Sequence, residues 1–125
     1  MSMKRTGILI AALAVVTLGA CGGGRPDGCV TPEGVVVKAI VEGQKQSGLT
    51  LGHASAIKGS EVYYVAARYE IAGDKGEAVW ATTALDGASP IRSAEAMSAA
   101  LTTWPRVDGV DAGSQPVRDA LACLG

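Results

Sequence analysis

VYYVAARYEIAGDKGEAVWATTAL, residues 62–85, decides the fold. Val62 to Ala72 is rich in Tyr and Val, residues suited to a half-buried pleated surface. Tyr63, Val65, Ala67, Tyr69 and Ile71 alternate onto one face, while Arg68 and Glu70 point away. Gly73-Asp74-Lys75-Gly76 predicts a hairpin turn, and Glu77 to Leu85, with Val79, Trp80 and Thr82-Thr83, predicts the returning strand. Two antiparallel strands are therefore the centre of the molecule.

The flanks extend this hairpin. Leu49 to Lys58 alternates, with Leu51, His53, Ser55 and Ile57 sharing a face, and Gly59-Ser60 turns the chain toward Val62. Pro90 to Arg92 offers a fourth short strand. Thr31-Pro32-Glu33 predicts a helix start, because Thr caps, Pro suits the first helical position and Glu suits the positive end. Val36, Val37, Ile40 and Val41 form its apolar stripe, and Ser47-Gly48 ends it. A second helix is predicted over 94–103, capped by Ser93, with Met97, Ala100, Leu101 and Trp104 inward and Pro105 as the stop. Ser114 opens a last helix that turns Val117, Ala120, Leu121 and Leu124 inward. The predicted class is α+β: an antiparallel meander of three to four strands with helices packed on one face.

The N-terminus carries a different signal. Met1 to Arg5 is short and basic, and Gly7 to Leu18 is an uncharged apolar run of about a dozen residues, short of the roughly 20 that span a bilayer. Leu18-Gly19-Ala20-Cys21 follows, with small residues directly before a cysteine. This segment resembles a bacterial lipoprotein signal peptide ending in a lipobox. The resemblance implies cleavage before Cys21, diacylation of its sulfur, and an anchor in the cell membrane at the extracytoplasmic face. Gly19 is a less usual choice than Ala or Ser at its position. The implied organisation is a signal peptide over 1–20, a Gly-rich tether over 21–28 and one domain over 29–125.

The mature part also resembles, loosely, small lipoproteins of high-GC Gram-positive bacteria. The features that carry this are a Tyr-rich strand, a Trp-containing strand, Ser93-Ala94-Glu95-Ala96 and the late Cys123. The absence of Phe and Asn from the chain fits a GC-rich coding bias. No activity follows from this likeness.

With Cys21 taken by lipid, Cys29 and Cys123 remain as an even pair in an exported protein, where disulfides persist. Two free or metal-binding thiols are the alternative, although no CxxC or His-rich partner accompanies them. Removing Lys4 and Arg5 with the signal leaves 9 basic and 12 acidic residues of the chain's 11 and 12, a mild and mixed balance. Without a basic stripe, nucleic acid is not an expected partner.

Motifs for chemistry are sparse. His53 is the single histidine, and its apolar neighbours on the strand predict a structural, partly buried residue. No Gly-x-Ser-x-Gly elbow supplies a nucleophile. Glu70 and Glu77 flank a surface hairpin, a poor setting for a glycosidase carboxylate pair. No cluster has metal-ligand spacing, Gly22-Gly23-Gly24 opens no helix as a phosphate loop would, and no cofactor is implied. Aromatics remain. Without Phe some must fill the core, and the hairpin register decides which face Trp80 takes. Tyr64, which lies opposite Tyr63, or Trp80 beside Arg68 is a candidate contact patch, with burial under helices as the alternative. The expected role is a lipid-anchored envelope module that binds or supports an unidentified envelope protein or ligand. An envelope hydrolase or an inhibitor of an exogenous enzyme is the alternative.

Overall fold

The computed structural model describes residues 25–125. The signal segment, Cys21 and the first part of the tether lie outside the described residues. The chain runs as helix α1 (Gly34–Glu42), strands β1 (Thr50–Lys58), β2 (Tyr63–Ile71), β3 (Asp74–Thr82) and β4 (Ile91–Ser93), then helices α2 (Ala96–Leu101) and α3 (Gln115–Ala122). The strands form one antiparallel sheet in sequence order, β1-β2-β3-β4. The α+β class and the four-strand meander are thus as the alternation predicts.

The central hairpin turns one step earlier than its glycines suggest. Ile71 pairs with Asp74, so Ala72-Gly73 is the whole loop and Asp74 to Gly76 already belong to β3. Ala72 has φ 51° and Gly73 φ 87°. Positive φ at both loop residues matches the right-handed strand twist that two-residue hairpins require. Ala72 pays for that with a left-handed conformation that disfavours any Cβ.

β1 also departs from simple alternation. Leu51 pairs with Tyr69 and Ala54 with Ala67, leaving Gly52 and His53 together opposite Arg68. This β-bulge shifts the pleat by one residue. Leu51 therefore packs with Ala54 and Ala56 on one face, while Ser55 and Ile57 lie on the other. The single face expected for Leu51, His53, Ser55 and Ile57 does not form. His53 sits on the bulge, exposed rather than partly buried.

The helices cover both faces of the sheet rather than one. On the first face, Val36 and Ile40 of α1 pack with Leu49, Ala54, Ala56, Val65, Ala67, Tyr69, Ala78, Trp80 and Ile91, joined by Leu101 and Trp104. On the second, Val117 and Ala120 of α3 and the following Leu124 pack with Tyr64, Ala66, Val79 and Ala81. The reason is visible in β2 and β3. Ala66, Val79 and Ala81 interleave with Val65, Ala67, Ala78 and Trp80, so the middle of the hairpin is apolar on both sides, and both must be buried.

α1 starts at Gly34, with Glu33 as the N-cap rather than Thr31, and it ends before Gly43. Its end is closed by Trp104, whose indole Nε1 donates to the Ile40 carbonyl at 3.0 Å. A Cβ on Gly43 would come within 2.5 Å of that ring, so glycine is what lets the indole lie flat on the helix end.

α2 is shorter than predicted, because Ser93 belongs to β4 and Glu95 is the cap. Glu95 Oε1 accepts from the N–H of Ser98 at 2.6 Å and of Val79 at 3.3 Å, and Oε2 accepts from Met97 at 3.2 Å. One carboxylate thus satisfies the start of a helix and the β3 N–H just beyond the end of β4. Met97, expected inward, is 40% exposed, and Ser98 takes the buried position. Behind them lies a buried polar chain: Trp80 Nε1 donates to Thr102 Oγ1 at 3.0 Å, and Thr102 Oγ1 donates to the Ser98 carbonyl at 2.8 Å.

The β3–β4 connection is held by Asp86, whose Oδ1 accepts from Ala88 N, Ser89 N and Ser89 Oγ at 2.9–3.0 Å. The Ala88 N–H foremost, then the Ser89 hydroxyl, keep its carboxyl below the usual carboxylate range. Finally, Cys29 and Cys123 are joined in a disulfide with Cα atoms 5.7 Å apart. The bridge fastens the end of α3 to the start of the domain. Next to it, Val30 exchanges both backbone hydrogen bonds with Ala56 on the outer edge of β1.

Candidate functional site

The second sheet face holds two clefts, one toward each end of β2 and β3. The nine-residue strands are about 30 Å long, whereas the eight helical residues of α3 span about 12 Å. The helix covers the apolar middle and leaves both ends open.

The first cleft, about 680 Å³, is lined by Thr50, Leu51, Gly52, Arg68, Tyr69, Glu70, Lys75, Gly76 and Glu77. Gly52 of the β-bulge is part of this lining. Arg68 is its hub: Nε meets Glu77 Oε2 at 3.5 Å, the only ion pair among the described residues. Its second terminal nitrogen donates at 3.4 Å to the carbonyls of Leu124 and Gly125. Arg68 thus binds the chain that leaves α3. Glu70 pairs in register with Lys75, not with Glu77, so the two glutamates of the hairpin do not form a facing pair. Gly76 has a separate task on the opposite face, where the Tyr69 side chain lies over it; a Cβ there would meet the phenol oxygen at 2.8 Å and the ring carbons at 2.9 Å.

The second cleft, about 410 Å³, is lined by Val62, Ala81, Thr82, Thr83, Pro90, Arg92, Val107 and Asp108. Arg92 pairs with Ala81 across the sheet. Its neighbours Ile91 and Ser93 are buried on the other face, which fixes the strand and sends Arg92 outward. The 105–107 segment lies against β4: Ser93 N donates to the Pro105 carbonyl at 2.8 Å and Val107 N to the Ser93 carbonyl at 2.9 Å. This pairing brings Val107 and Asp108 to the cleft.

Of the candidate contact patch at Tyr64, Arg68 and Trp80, the structure buries two members, the outcome the core alternative describes. Trp80 is fully buried and Tyr64 is 7% exposed. They also face opposite ways, Trp80 toward α1 and Tyr64 toward α3, because Trp80 pairs with Val65 and Tyr64 with Ala81. Without Phe, the chain uses its large aromatics as core. Only Arg68 of the three is exposed. Sequence reasoning missed Arg92, Asp108 and Glu95. Arg92 was readable as the outward residue of an alternating Ile-Arg-Ser strand. Glu95 was obscured because its capping box places Glu at the cap and Ser three residues on, the reverse of the usual order.

Among the described residues no group of three or more His, Cys, Asp and Glu side chains is placed to hold a metal ion. No helix there is long and apolar enough to cross a membrane. Comparison with family models, with curated proteins and with solved structures finds no match for this chain.

Proposed function

We propose that this protein is a lipoprotein of the cell envelope, anchored through Cys21 at the extracytoplasmic face of the membrane, whose domain acts as a binding or accessory module. The observation that carries the reading is the pairing of Cys29 with Cys123. It uses two of the chain's 3 cysteines and leaves Cys21 for another purpose. A disulfide of this kind belongs to an oxidising compartment. The basic start, the short apolar run and the small residues before Cys21 supply a route to that compartment.

The bridge also bears on how the domain would be held. Cys21 and Cys29 are eight residues apart, a reach of about 28 Å at most. Two acyl chains on Cys21 give stable attachment where one would be marginal. A module role is supported by the second sheet face, whose two clefts carry most of their charge on exposed strand residues.

The test is metabolic labelling with a clickable fatty acid, followed by membrane fractionation. The wild-type protein should carry the label and sediment with membranes, and Cys21→Ser should lose the label. Label retained on Cys21→Ser, or absent from the wild type, overturns the proposal.

A further inference from the structure

We infer that the cleft over Ala81 is a binding site for a small apolar zwitterion, a free α-amino acid or a short peptide with an aliphatic side chain. This deepens the binding-module reading and rests on it. Of the two clefts, the one at Arg68 has its guanidinium already engaged by Glu77 and by the Leu124 and Gly125 carbonyls. Arg92 differs. Among the described residues its side chain makes no ion pair, and neither it nor Asp108 has a side-chain hydrogen bond.

The surroundings select the partner. Val62, Ala81, Pro90 and Val107 give the cleft an apolar lining, with Val62 and Val107 packed against the core beneath α3. A guanidinium beside such a lining favours a planar carboxylate, which it can grip with two parallel hydrogen bonds. Thr83 lines the same cleft, and a threonine hydroxyl there can donate a further one. Asp108 adds the opposite charge. It disfavours a dianion such as phosphate and offers an acceptor to an ammonium group. A volume of about 410 Å³ suits a small molecule rather than a folded partner. Anion, cation and apolar body together describe an aliphatic zwitterion.

Equilibrium binding to the full-length protein, purified in detergent, tests this with four probes. L-leucine carries both charges, leucinamide lacks the carboxylate, N-acetyl-leucine lacks the ammonium, and leucyl-leucine separates the two charges along a peptide. Saturable binding of leucine or leucyl-leucine is expected, and the tighter of the two identifies free amino acid or peptide as the class. Arg92→Gln should weaken the preferred probe by about tenfold or more, and leucinamide should bind the wild type that much more weakly than leucine. Asp108→Asn should weaken leucine but leave N-acetyl-leucine unchanged. Both substitutions are at exposed positions, and an unchanged thermal midpoint confirms folding. No saturable binding of either zwitterion up to about 10 mM, a range that covers millimolar affinities, overturns the site. Equal affinity in wild type and Arg92→Gln also overturns it. The fatty-acid label on Cys21 is read independently, so loss of the site and loss of the anchor are distinguishable.

Discussion

The two faces of the sheet are built on different principles. The first is closed by side chains: α1, α2 and Trp104 cover it, and its largest residue, Trp80, is fully buried with its indole N–H satisfied by Thr102. The second is closed by covalent and charged ties. One short helix lies on alanines and a valine, and the Cys29–Cys123 bridge and the Arg68 contacts to Leu124 and Gly125 hold its end down. A face held by a clamp at one end can leave its flanks open, and both clefts lie there.

If that contrast is right, removing the clamp should have the largest effect. Cys29 and Cys123 are separated by 94 positions. Closing so long a loop stabilises a fold by about 4–5 kcal/mol in the chain-entropy model. Cys29→Ser with Cys123→Ser should lower the stability by that order in urea denaturation. Hydrogen exchange should show α3 opening before α1. Equal protection of the two helices in the double variant would break the comparison.

Next comes Trp80→Ala, at a cost of about 3–5 kcal/mol from the cavity it leaves on the packed face. Trp80→Phe should cost less but still measurably, because Thr102 loses the indole N–H donor in a buried setting. Thermal melts of the two variants read the packing and the hydrogen-bond contributions separately. A Trp80→Ala variant as stable as wild type would show that α1 and α2 are not sealed by this residue.

Arg68→Ala should cost less than about 1 kcal/mol, since its ion pair with Glu77 is exposed and screened by solvent. Its sharper effect should be on dynamics. Exchange at Leu124 and Gly125 should rise while that of β2 stays unchanged. His53→Gln should be the mildest, within about 0.5 kcal/mol, as expected for an exposed position outside the core. A larger loss in denaturation would mean that the bulge depends on the imidazole rather than on the pleat shift.

The sequence by itself determined the α+β class and the order of the elements, and it pointed to the bridge between Cys29 and Cys123 that the structure shows. Local physics is enough for those. Alternation in 62–71 specifies a strand, Ser114 marks the start of the last helix, and cysteines near the two ends of the domain offer a pair. The last helix was legible down to its buried residues, because Val117, Ala120 and Leu124 recur at helical spacing. Only the tertiary structure decided which face each side chain took. The bulge at Gly52 and His53 adds one residue to β1 and reverses its pleat, an event that no periodicity within β1 announces. Whether Trp80 and Tyr64 were core or patch stayed open in the sequence, because their burial depends on strand register and on helices distant in sequence. Arg92 and Asp108 come to one cleft for the same reason: 16 positions apart in the chain, they line it together only because the segment after Pro105 pairs along β4. Side-chain periodicity is a property of one strand, whereas a face, a cleft and a site are properties of the sheet.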